Sequence, residues 1–221
     1  MRRVAVVLAV ALLAAVAAGQ AGATNECRGL QVCVPVAGPW VVAPAGSEVQ
    51  FQLACPARFI VAGLDAELSA RGIDITFQGG LGSPVNPGIT TSSSAVFMGR
   101  LLAAKAATFR PHIGCVPASG GGERYPTAYH VLPPSRPLAP TMLQYNVSPG
   151  VRHYVASCPA RRHLLQATHA VGFFTAVPPP AAIVRSVVVS QVAASGRVRL
   201  TVNAGALPGI RAVVQVDLVC A

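Results

Sequence analysis

The sequence predicts an all-β protein: two antiparallel β-sandwich-like modules, related by an internal duplication and stapled by disulfides. Three observations carry this. The tetrapeptide Cys-Pro-Ala-Arg occurs twice, at Cys55–Arg58 and Cys158–Arg161. Each copy is followed by a second cysteine at a nearly equal distance, Cys115 and Cys220. The intervening segments alternate apolar and polar residues with the period of a half-buried strand.

Each repeat begins with a Pro/Gly turn, Pro44-Ala45-Gly46 or Pro149-Gly150, and an alternating run into its first cysteine. Those runs are Val49, Phe51, Leu53, Cys55 and Arg152, Tyr154, Ala156, Cys158. Matched flanks and matched spacing make the four-residue identity a signal of duplication. Inside the copies, Ile73, Ile75 and Phe77 interleave with Asp74, Thr76 and Gln78, and Val198, Leu200 and Val202 with Arg197, Arg199, Thr201 and Asn203. Each pattern gives a strand with one dry and one wet face.

The first copy is expected to hold strands near 48–55, 58–68, 73–78, 95–102 and 108–115, with a short one around Trp40. The second is expected to hold them near 143–147, 152–158, 162–174, 183–192, 197–203 and 211–220. The apolar runs Leu101–Ala107 and Val192–Ala194 have room for a helical turn each. Pro178-Pro179-Pro180 marks a connection, since proline cannot donate within a sheet. The boundaries read as 1–23 signal peptide, 24–116 first module with an N-terminal Cys loop, 117–140 Pro/Gly-rich linker or long loop, and 141–221 second module.

The start explains the cysteines. Arg2-Arg3, an apolar stretch from Val4 to Ala18 and the ending Ala21-Gly22-Ala23 have the three parts of a secretory signal. The apolar stretch is short of the ~20 residues of a membrane-spanning helix. Thr24 becomes the expected mature N-terminus, and no transmembrane span is expected after signal removal. Six cysteines in an exported chain read as three disulfides rather than metal ligands. The repeat pairs Cys55 with Cys115 and Cys158 with Cys220, leaving Cys27 and Cys33. Spacing alone does not choose among the 15 pairings, and Cys33-Val34-Pro35 echoes Cys115-Val116-Pro117 as the end of a module.

The motif Cys55-Pro56 followed by an apolar strand and Gly63-Leu64-Asp65-Ala66 resembles a largely uncharacterised group of secreted proteins from GC-rich, actinobacterial-type genomes. In that group a Cys-Pro-Ala-Gly-like start and a late cysteine bracket a β-rich module. The usual glycine is arginine here, at Arg58 and Arg161. The resemblance implies compartment and architecture and transfers no activity.

Charge is lopsided. The net is +10, but from Thr24 to Cys115 six basic residues meet five acidic ones. From Val116 onward nine arginines meet only Glu123 and Asp217. A basic half on an exported protein points to an anionic partner: cell-wall polymer, acidic polysaccharide, lipid headgroup or extracellular nucleic acid, the last without sequence-specific readout. The competing reading is solubility plus codon bias, with sixteen arginines against Lys105 alone. Arg161, Arg162, Arg197 and Arg199 form the candidate anion-binding surface.

Chemistry-bearing patterns are sparse. Asp65 and Glu67, two apart in an expected strand, share a face and are the candidate pair for a polysaccharide or peptide hydrolase; their alternative is a solvated sheet face. His153, His163 and His169 lack zinc-site spacing. There is no nucleophile elbow, metalloprotease helix or phosphate loop, and Ser92-Ser93-Ser94 has no partnering base. The Gly/Pro/Ser/Thr stretch 79–94 has the length of a functional loop and is the candidate epitope of a secreted inhibitor. The leading expectation is a secreted or envelope-associated, non-enzymatic binding or adhesion protein with no cofactor and no metal.

Overall fold

The computed structural model describes residues 24–30, 32–78, 93–102, 105–118, 139–194 and 196–221. The signal segment, loop residues 79–92 and linker residues 119–138 lie outside them.

Strands β1 (Val34–Ala37), β2 (Trp40–Ala43), β3 (Glu48–Ala54), β4 (Phe59–Leu68), β5 (Ile73–Gln78), β6 (Ser94–Leu101) and β7 (Ala107–Pro117) form the first half. The second half holds β8 (Ala139–Asn146), β9 (Gly150–Ser157), β10 (Leu164–Phe174), a short helix α1 (Ala181–Arg185), β11 (Val187–Ala194), β12 (Arg197–Ala204) and β13 (Arg211–Cys220). Every pairing between these strands is antiparallel. Among the described residues no helix is long and apolar enough to cross a membrane.

The two halves share one central sheet. β7 carries β4 along one edge and β1 and β2 in succession along the other. β2 pairs onward with β10 through Val41–Gly172 and Trp40–Phe173, and β10 leads to β13 and β8. Two smaller sheets, β3-β6-β5 and β11-β12-β9, cover it. They lie on opposite faces. Val41, Phe109, Ile113, Ala170 and Val213 pack against Phe51, Phe97 and Leu101 of the first small sheet. Phe173, Val214, Val216 and Leu218 pack against Val198, Leu200 and Val202 of the second. Successive residues of β13 thus enter different cores, because side chains alternate across a strand. This is why Ala212–Leu218 is buried on both faces, an apolar run interrupted only by Gln215 and Asp217.

The halves agree in detail. Leaving aside β1, an extra strand of the first half on β7, each contributes its first, third and last strands to the central sheet, and its second, fifth and fourth strands to a small sheet. Both β4 and β10 have a register shift near their start, at Val61/Gly63 and at Leu164/Gln166. Cys55–Cys115 and Cys158–Cys220 join the cysteines that the repeat pairs, and the remaining two join as Cys27–Cys33.

The repeated turn explains why its fourth residue matters. Phe59 N–H donates to Pro56 O and Arg162 N–H to Pro159 O, both at 3.1 Å. The residues that close these turns, Arg58 and Arg161, have φ of 69° and 68°. That is left-handed backbone, costing an L-residue about 1–2 kcal/mol and glycine almost nothing. Glycine adds unfolded-chain entropy, which takes back part of the gain. Arg58→Gly and Arg161→Gly are each expected to stabilise the protein by about 0.5–1 kcal/mol in denaturant unfolding. A loss of stability would contradict the turn geometry.

Several elements differ from the sequence reading. The run Val192–Ala194, with room for a helical turn, is strand instead: β11 extends through Ala194, where pairing with β12 satisfies the backbone. Of the run Leu101–Ala107, Leu101 ends β6 and residues 103–104 lie outside the described residues. The helical turn follows Pro178–Pro180 instead, since proline is pre-set for a helix start. β1 was not expected. It contains Pro35 and survives because it is a short strand paired to β7 along one edge.

Candidate functional site

The outer face of β11-β12-β9 is built by strict alternation. On β12, Val198, Leu200 and Val202 are buried, which turns Arg197, Arg199, Thr201 and Asn203 outward. Cross-strand register sets the neighbours. Arg199 lies between Val192 of β11 and Val155 of β9, and Arg197 between Ala194 and Ser157. Thr201 lies between Ser190 and His153, whose Nδ1 is 3.1 Å from Thr201 Oγ1. Asn203 lies between Val188 and Val151. A shallow depression of about 390 Å³ is lined by Val155, Val192, Ala194, Arg197 and Arg199.

The first half places acidic residues beside the arginine at the comparable position. On the outer face of β3-β6-β5, Arg100 lies in register between Glu48 and Asp74, carboxylates on both sides. No carboxylate flanks Arg197 or Arg199. From residue 139 onward the one acidic side chain is Asp217, which is buried. Arg161 and Arg162 are exposed in the turn after β9, at the end of the sheet where Ser157 meets Arg197. The structure therefore brings the four expected arginines to one end of the second half. Among the described residues none of them has a carboxylate within ion-pair distance.

Asp65 and Glu67 do share a face, opposite His112 and Arg110 of β7. That face is occupied by the N-terminal segment. Asn25 N–H donates to Asp65 Oδ2 at 2.6 Å, while buried Glu26 places Oε1 3.6 Å from His112 Nδ1. Glu67 bridges the other side, 3.5 Å from His112 Nε2 and 3.9 Å from Arg110. A Cβ on Gly63 would stand 1.7 Å from Glu26 O, and one on Gly114 2.1 Å from it. The two glycines let this segment lie directly on the sheet. At the matching register the second half has Gln166 and Val219. Asp65 thus holds the N-terminal loop directly, while Glu67 meets it through His112, which also faces Glu26.

The other expected residues are placed as follows. His169 donates from Nδ1 to Gln191 Oε1 at 2.9 Å, because Gln191 Nε2 is committed to Ala167 O at 2.9 Å. This pair ties β10 to β11 beside a cleft of about 410 Å³ between the halves, also lined by Val42, Pro44 and Glu48. His163 exchanges backbone hydrogen bonds with Ala221. Among the described residues no three His, Cys, Asp or Glu side chains gather to hold a metal ion. Ser94 begins β6 and Ser93 accepts from Cys55 N–H, while the rest of the 79–94 stretch is outside the described residues.

Asp217, missed by the sequence reading, sits opposite Thr168 at the register where the first half has His112 and Asp65. Burial pushes its carboxyl up to about 6. The folded protein keeps this proton at pH values where the unfolded chain has lost it. Stability from this group is therefore greatest below about pH 4 and falls as pH rises through 6, by on the order of 2–3 kcal/mol. Asp217→Asn should flatten that decline and unfold at higher denaturant than the parent at pH 7. Parallel pH profiles for the two proteins would refute it.

The geometry defines an all-β, disulfide-stapled protein with an uncompensated basic sheet face, and three disulfides are typical of extracellular proteins. No protein-family model matches the chain, and neither a curated protein nor a solved structure does.

Proposed function

We propose that this is a secreted or envelope-associated, non-enzymatic binding protein, built by duplication, whose second half holds an anionic partner on the outer face of β11-β12-β9. The observation that carries this reading is the contrast between equivalent faces. Arg100 is flanked by Glu48 and Asp74, whereas Arg197 and Arg199 are flanked by valine, alanine and serine. Uncompensated arginines on a rigid strand offer planar, permanently charged donors suited to carboxylate, sulfate or phosphate. Arg161 and Arg162 extend the same positive field. An acidic envelope polymer or polysaccharide is the partner expected from charge alone.

Retention on immobilised heparin tests it. With four arginines engaged, affinity should fall roughly a hundredfold between 50 and 200 mM salt. Replacing Arg197 and Arg199 by Gln should halve the slope of log affinity against log salt, and the control Arg100→Gln should leave it alone. Salt-insensitive retention, or a slope unchanged by the double replacement, would overturn the reading.

A further inference from the structure

The same face carries an apolar component that charge does not explain. Val151, Val155, Val188 and Val192 are 54%, 58%, 60% and 64% exposed. All four stand on the outer strands, flanking the arginine-bearing strand on both sides. The equivalent outer-strand positions of the first half are Glu48, Gln50 and Gln52 on β3 and Asp74 and Thr76 on β5. Valine there is not a requirement of the sandwich.

We infer that this face docks on an anionic lipid surface, an inference that rests on the anion-binding reading above. Three properties favour that occupant. The face combines four aliphatic side chains with two unpaired guanidinium groups, the pairing of apolar contact and positive charge that reversible interfacial binding needs. Arginine stems lie along apolar surface while their heads reach outward to phosphate, so valine and arginine engage one lipid layer at different depths. Charge disfavours a second copy, because face-to-face pairing would set Arg197 and Arg199 against the same residues with no carboxylate on either face. A hydrated polysaccharide would leave the valines without a partner, and the described face presents no Trp, Tyr or Phe ring for a sugar to stack on.

The test compares two probes: vesicles of phosphatidylcholine with and without phosphatidylglycerol, and soluble heparin. The purified protein should sediment with the anionic vesicles and not with the neutral ones. Val155→Thr with Val192→Thr keeps β-branching and removes apolar contact. This pair should weaken vesicle binding roughly fivefold and leave heparin binding unchanged. Arg197→Gln with Arg199→Gln should weaken vesicle binding by roughly 25-fold, about fivefold per charge, and should weaken heparin binding too. If the threonine pair sediments like the parent while the glutamine pair is impaired on both probes, the lipid inference falls and the anion-binding reading stands. If the glutamine pair changes neither, both fall.

Discussion

Replacing Gln215 by leucine should lower the unfolding free energy by about 2–4 kcal/mol. Gln215 lies on β13 with no solvent exposure. Its Oε1 accepts from Gln52 N–H at 2.5 Å and its Nε2 donates to Gln52 O at 2.9 Å, across 163 residues of sequence. The side-chain amide acts as one peptide unit of a missing strand, satisfying backbone of β3 in the first half from β13 in the second. Leucine fills the space but makes neither bond, so the N–H and C=O of half-buried Gln52 lose their partners. Gln215→Glu should not rescue the fold, because a carboxylate cannot donate to Gln52 O and its charge would be buried. Trp40, the sole tryptophan, is buried where β2 pairs with Phe173 of β10, so its fluorescence reports the junction directly. A midpoint within error of the parent would show that the amide contributes nothing.

Removing Cys158–Cys220 by double alanine replacement should cost about 4 kcal/mol, the chain-entropy value for a link spanning 62 residues. Cys55–Cys115, spanning 60, should cost nearly the same. Cys27–Cys33 spans 6 and should cost about 2 kcal/mol. The two long links also place Cys115 and Cys220 in the two cores, so their loss leaves small cavities as well. The ranking is read from denaturant midpoints of the three double variants. Equal losses for the long and short links would show that loop closure is not the source of the stabilisation.

The sheet content and most strand positions were legible because alternation is a local signal. Ile73–Phe77 and Val198–Val202 each show which residues turn inward without reference to any partner. The arginine face was legible for the same reason: Arg197 and Arg199 are two apart on a strand whose other side is apolar. What stands beside a charge is not local. Glu48 and Asp74 reach Arg100 only through cross-strand register, and the valines beside Arg199 come from strands on either side of it. Asp65 and Glu67 were legible as a pair, but their work depends on Glu26 and His112, which lie on other segments. Gly63 and Gly114 become intelligible only when the N-terminal segment lies across them.

By itself the sequence determined the class: antiparallel strands and three disulfides, set by residue type, with Cys-Pro-Ala-Arg twice framing the chain together with a later cysteine. Tertiary structure decided how the frames combine. β2 pairs on both edges, with β7 and with β10, and so fuses two sandwich-like halves into one sheet with its small sheets on opposite faces. The matching inner strands therefore acquire different covers: a disulfide-closed N-terminal loop over β7, and the first half's β3 against β13. A strand's pattern specifies that a face must be covered, whereas the path of the whole chain determines what covers it.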